Sequence, residues 1–221
     1  MPGFTAKEVK TLREQTGAGM MDCKKALTEA GGDMKKAMTW LREKGIADAE
    51  KRQDRTAVEG AVASYLHMGG KIGVLVEVNC ETDFVARGDE FQDLCRDLCL
   101  QVCSTAPQYV SQDEVPESAV EKEREVFKAR ARDMGKPENI LPKIAEGMLS
   151  KWYEEVCLLQ QKFVKDPDRT VEDLVKEFSG KVGEKIVVRR FARFQLGEDL
   201  ENGEESGRSE DVAQQFADTQ G

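Results

Sequence analysis

The 221-residue chain holds six cysteines and one histidine, and these bound the covalent or metal chemistry open to it. Cys95, Cys99 and Cys103 recur every fourth residue in a helical pattern, so they share one stripe. The ends of that stripe stand about 12 Å apart along a helix axis. A single zinc ion needs every thiolate at about 2.3 Å. One helix cannot deliver all three, so a mononuclear site is rejected, and small apolar side chains on a buried face is the better reading. His67 is the sole histidine for Ser/His/Asp or Cys/His catalysis, and it stands beside a predicted hairpin turn in a strand of structural pattern. Gly180-Lys181-Val182-Gly183-Glu184-Lys185 carries glycine and lysine but lacks the Gly-Lys-Ser/Thr ending of a phosphate loop. Gly17-Ala18-Gly19-Met20 is too short for a dinucleotide fingerprint. Carboxylates are abundant, but none is paired in an apolar setting. These residues predict an interaction protein with no active site, no metal and no cofactor. A thiol redox or metal protein, with a two-cysteine site completed from elsewhere, is the rival class.

Interaction chemistry concentrates in Asn79-Cys80-Glu81-Thr82-Asp83-Phe84-Val85-Ala86-Arg87. An aromatic ring stands beside an acid in a predicted strand-to-helix connection. Two readings are open. In one, Phe84 projects as a rigid wedge for another protein's pocket, with Asp83 as its charged companion. In the other, Phe84 packs beneath its own loop and Asp83 caps the next helix.

The elements that must position this stretch follow from periodicity. Residues 4–44 predict three short helices. Thr5 and Glu8 form a capping box, with Phe4 and Val9 as a hydrophobic staple. The first helix stops at Gly17 and the second ends at Gly31-Gly32. Asp33 caps the third, which Gly45 closes. Residues 46–56 predict a helical or flexible linker. Val58 to His67 and Ile72 to Val78 predict a hairpin around Met68-Gly69-Gly70-Lys71, with Ile72, Val74, Val76 and Val78 on one face. A helix over 88–104 follows. Further helices are predicted over 118–134 and from Pro137 to about Gln160, the latter with Ile140, Ile144, Met148, Trp152 and Val156 as its apolar stripe. Lys165-Asp166-Pro167-Asp168 reads as a loop. Thr170 caps a last helix ending near Gly180, and Lys185 to Phe194 predicts a third strand beside the hairpin. The fold class is α+β: three N-terminal helices, then a small antiparallel three-stranded sheet packed with helices. The predicted units are 1–45, the linker, a core at 57–197, and an acidic tail at 198–221 with a terminal helix over 209–217.

Charge is unevenly spread. Residues 1–55 carry 12 basic and 9 acidic residues, 56–197 carry 20 and 25, and 198–221 carry 1 and 8. The negative body argues against nucleic acid as the main partner, since phosphate binding needs clustered lysine and arginine. The basic front end suits an acidic protein surface. No apolar run approaches the roughly 20 residues of a membrane span. Met1-Pro2-Gly3-Phe4-Thr5-Ala6-Lys7 has no signal or transit character, which predicts that the chain acts where it is made.

Thr16-Gly17-Ala18-Gly19-Met20-Met21-Asp22-Cys23-Lys24-Lys25-Ala26-Leu27 and Val76-Glu77-Val78-Asn79-Cys80-Glu81-Thr82-Asp83-Phe84-Val85-Ala86 resemble the two signatures of bacterial translation elongation factor Ts. Gly135-Lys136-Pro137, Glu146-Gly147-Met148, Gln161-Lys162-Phe163-Val164 and Thr170-Val171 resemble its C-terminal half. The resemblance implies a guanine nucleotide exchange factor for elongation factor Tu, without covalent chemistry, in the bacterial cytoplasm or a plastid stroma. It implies a ubiquitin-associated-like N-terminal module docking on the partner's GTPase domain, with Arg13, Met20 and Lys24 at or near that contact. It also implies that Asp83 and Phe84, flanked by Thr82 and Val85, intrude near the magnesium and phosphate site. The longest members of that family carry a duplicated core and a protruding helical hairpin, whereas one core unit fits here between 57 and 196. A homodimer that supplies the missing half is therefore expected. A non-exchange adaptor using the same module is a second rival.

Overall fold

The computed structural model describes residues 3–198, so the helix expected over 209–217 lies outside the described residues. Three helices open the chain: α1 (Ala6–Thr16), α2 (Met20–Glu29) and α3 (Met34–Glu50). The capping box forms as expected, with the Thr5 hydroxyl accepting from the Glu8 N–H at 3.3 Å and the Glu8 carboxylate accepting from the Thr5 N–H at 2.6 Å. Val9, Leu12, Cys23, Ala26, Leu27, Ala37 and Leu41 bury one shared core, with Phe4 against it.

Gly45 does not close the third helix. α3 runs through it to Glu50, into the stretch read as a linker. The reason is a helix crossing. α3 lies against α8 (Val171–Val182), and a Cβ on Gly180 would fall 2.6 Å from the Gly45 Cα. The two glycines permit backbone-to-backbone approach, and tertiary packing outweighs the glycine penalty of about 1 kcal/mol inside a helix. Arg42 Nε pairs with Glu177 at 2.6 Å and Lys176 with Glu50 at 3.3 Å along the same seam.

β1 (Glu59–His67) and β2 (Ile72–Cys80) form the hairpin, and β5 (Val187–Gln195) pairs antiparallel with β2, giving the order β1-β2-β5. α5 (Asp89–Thr105) covers one face. Val74, Val76 and Val78 pack there against Phe91, Leu94, Cys95, Leu98, Cys99 and Val102, and α8 adds Val171 and Val175. Strand alternation sends the other side chains outward, where register aligns Leu66 with Gly73 and Phe194, Ser64 with Leu75 and Ala192, and Val62 with Glu77 and Arg190. That face is bare, with Val62 66%, Leu66 73% and Phe194 70% exposed.

α6 (Glu117–Asp133) and α7 (Leu141–Val156) pack on each other as a helical pair. The stripe expected on α7 holds at its C-terminal end, where Val156 is buried with Trp152 packed against the same cluster, and is corrected before that. Leu141, Ala145 and Leu149 are buried, whereas Ile144 and Met148 are only half-buried and Ile140 is exposed. Two apolar stripes adjoin on this helix, and periodicity alone could not choose between them. The loop expected at 165–168 is also corrected, because β4 (Asp166–Thr170) pairs with the short β3 (Lys162–Phe163). Phe163 is buried beneath the Arg169 guanidinium, 5.6 Å from its ring centre. Gln101, fully buried on α5, fixes this corner by donating to Gln161 Oε1 and the Lys162 carbonyl and accepting from the Val164 N–H. Thr170 and Asp173 form the capping box of α8, which passes Gly180 and ends at Gly183 in left-handed conformation. Among the described residues no helix is long and apolar enough to cross a membrane.

Candidate functional site

The strand-to-helix connection holds a one-turn helix the sequence did not reveal, α4 (Asp83–Ala86). Its two sides differ. Ala86 is buried and Val85 half-buried against the sheet core, while Asp83, Phe84 and Arg87 face solvent. Phe84 is 88% exposed, so the reading in which it packs beneath its own loop is overturned. Asp83 does not cap α5 either, because Gly88 holds that N-cap position. Asp83 instead pairs with Arg87 at 2.8 Å, an exposed contact worth about 0–1 kcal/mol that a competing cation displaces easily.

Thr82 caps the turn, its hydroxyl accepting from the Val85 N–H at 3.3 Å. The far end is held by Gln92, which donates to the Ala86 carbonyl at 2.8 Å. A reciprocal clamp from the α8–β5 connection secures the near end. The Glu184 carboxylate accepts from the Glu81 N–H and the Thr82 N–H, each at 3.1 Å, and from the Thr82 hydroxyl at 2.6 Å. The Glu81 carboxylate in turn accepts from the Lys185 N–H at 2.6 Å and from Arg55 at 3.2 Å. The Lys185 N–H, followed by Arg55, holds the Glu81 carboxyl below its ordinary range. Sequence reasoning missed Glu184, Glu81 and Arg55. Their partners lie up to 128 residues away, and no local pattern marks them.

Arg13, Met20 and Lys24 are all exposed at the corner where α1 meets α2. The structure brings this corner to the same side chain that reaches the α4–α5 region. The Lys181 stem lies over Gly17, at the end of α1, and its ammonium pairs with Glu90 in the first turn of α5 at 2.7 Å. A Cβ on Gly17 would meet Lys181 Cε at 2.0 Å. Within the module, α2 and α3 are tied by charge as well. Lys44 bridges Asp22 at 2.9 Å and Asp48 at 3.1 Å.

The cysteine stripe is interior. All six cysteines are buried and unbridged. Burial pushes the Cys95 thiol up to about 12 and those of Cys99 and Cys157 up to about 11, the reverse of an activated nucleophile. His67 is half-buried, with Nδ1 3.0 Å from the Tyr65 hydroxyl. Among the described residues no three His, Cys, Asp or Glu side chains gather closely enough to hold a metal ion.

An α+β chain with an exposed acid–aromatic turn braced at both ends, and its thiols sealed inside, has the make-up of a protein that acts by binding another protein. Comparison with known sequences specifies which. The family described as Elongation factor TS matches residues 7–198. The chain is 55% identical over 210 residues to an Elongation factor Ts of Geobacter sulfurreducens, covering 95% of this chain and 97% of that one. It is 56% identical over 202 residues to an Elongation factor Ts of Moorella thermoacetica, covering 91% and 100%. The chain belongs to the elongation factor Ts family.

Proposed function

We propose that this chain is the guanine nucleotide exchange factor for elongation factor Tu, and that it speeds GDP release by pressing Asp83 and Phe84 toward the partner's magnesium and phosphate site. The observation that carries the reading is Phe84, 88% exposed on a turn braced by Thr82 and Val85 in a chain of this family. An exposed ring without an internal partner is costly in water and gains from burial elsewhere.

Exchange is a coupling of two binding equilibria. A factor that binds the nucleotide-free partner more tightly lowers GDP affinity by the same ratio. A 1000-fold effect corresponds to about 4 kcal/mol of differential binding. One aromatic ring contributes part of it, and a wider contact at Arg13, Met20 and Lys24 supplies the rest. No bond is made or broken in the chain, and the setting is the bacterial cytoplasm, with a plastid stroma as the alternative.

The working form is a homodimer. The bare sheet face supports this, since Val62, Leu66, Leu75 and Phe194 keep about half to three-quarters of their surface in water, and burying the rest would gain about 1–2 kcal/mol each.

The test is stopped-flow release of fluorescent GDP from elongation factor Tu. Phe84→Ala is expected to cut the maximal release rate at least tenfold and barely change the concentration giving half-maximal rate. Met20→Ala with Lys24→Ala is expected to do the opposite. Wild-type release from Phe84→Ala would discard the wedge.

A further inference from the structure

The segment 180–185, which lacks the ending of a phosphate loop, touches both parts of the site. Gly180 meets α3, Lys181 covers Gly17 and pairs with Glu90, the Gly183 carbonyl accepts from Arg55, and Glu184 grips Glu81 and Thr82. We propose that Glu184 is a positioning residue for exchange, its carboxylate fixing the turn on which Asp83 and Phe84 stand. The inference rests on the wedge reading above.

The geometry is specific. Two successive backbone N–H groups and the Thr82 hydroxyl converge on one half-buried carboxylate. The hydroxyl that donates to Glu184 also accepts from the Val85 N–H, so the α4 cap is oriented through Thr82. Its own backbone is held too, because Ser179 Oγ donates to the Glu184 carbonyl at 2.5 Å. Charge-assisted bonds of this kind are shorter and stronger than neutral ones, and several donors on one carboxylate fix its geometry. Phe84 has no side-chain packing of its own to define its direction. Its aim is therefore set by the backbone of residues 81–85, and Glu184 is what holds the entry to that backbone. Binding energy gathered at the front module reaches the ring only if the turn does not give way. A misplacement of about 1 Å at such a group costs up to 100-fold in rate.

The test measures GDP release and amide hydrogen exchange on the full chain for Glu184→Ala and for the isosteric Glu184→Gln, which keeps the fold. Glu184→Ala is expected to expose the Glu81, Thr82 and Val85 amides and to lower maximal release on the order of 10- to 100-fold. The half-maximal concentration should be unchanged, and Glu184→Gln should fall between. In a Phe84→Ala background, Glu184→Ala is expected to add nothing, because both act through one ring. Unchanged amide protection, unchanged maximal release, or full additivity with Phe84→Ala would each overturn the inference. If Phe84→Ala slows release and Glu184→Ala does not, the positioning role fails alone. If Phe84→Ala releases GDP at the wild-type rate, the wedge itself has failed.

Discussion

Phe84 is 88% exposed while all six thiols are hidden, so the chain displays its ring and conceals its cysteines. Burial pushes the Cys95 thiol up to about 12, so it stays protonated at pH 8. Native chain should therefore react slowly with a thiol-specific disulfide reagent and give six fast equivalents only after denaturation. A stoichiometric fast thiol in the native state would revive the redox reading. At this scale the sequence was informative where chemistry is local. It singled out Asp83 and Phe84 by residue type and place, but left their exposure open, because a ring in a loop reads the same packed or free. Glu184 was illegible, since one acid among 42 acquires meaning only from backbone N–H groups 102 and 103 residues away.

The helices carry a contrast that reverses sign. Gly147 lies inside α7 with open space where a Cβ would sit, so Gly147→Ala should stabilise the chain by about 0.5–1 kcal/mol through reduced unfolded-state freedom. Gly180 lies inside α8, yet its added Cβ would meet Gly45 backbone atoms at 2.6 and 2.8 Å. Backbone cannot rotate aside, so Gly180→Ala should cost about 1–3 kcal/mol as α3 and α8 are forced apart. Thermal unfolding followed by circular dichroism distinguishes a raised midpoint from a lowered one. The same crossing explains a misread boundary. A glycine in a helical pattern ordinarily signals a stop, and only the partner at Gly180 reveals that Gly45 is an approach point. Capped ends such as Thr5 and Thr170 were legible because the cap and its N–H lie three residues apart. β4 was not, because Asp166-Pro167-Asp168-Arg169-Thr170 has no apolar alternation and is paired by the burial of Phe163.

Over the molecule as a whole, the sheet has one packed face and one bare one. Replacing Leu75, which is on the bare face and 47% exposed, with Asp should leave the monomer folded, because the side chain already meets water. In a dimer built on this face it would place two like charges in a dry contact. Light scattering should show wild-type chain at twice the monomer mass and Leu75→Asp at the monomer mass with an unchanged circular dichroism spectrum. A wild-type monomer at high micromolar concentration would remove the dimer from the proposal. Apart from α4 and the β3–β4 pair, the order of elements was legible along the chain, but the face left open was not, since alternation names two faces without saying which one a helix will cover.

The strand order β1-β2-β5 has a consequence for biogenesis. β2 ends at Cys80, but its second neighbour begins at Val187. During synthesis its far edge therefore waits, unsatisfied, while roughly a hundred further residues are added, and the crossing of α3 with α8 waits as long. Open strand edges invite wrong pairing, and long-range contacts form slowly. The nascent chain is therefore most vulnerable to misassociation late in translation, and β5, the last strand among the described residues, is the one that seals it.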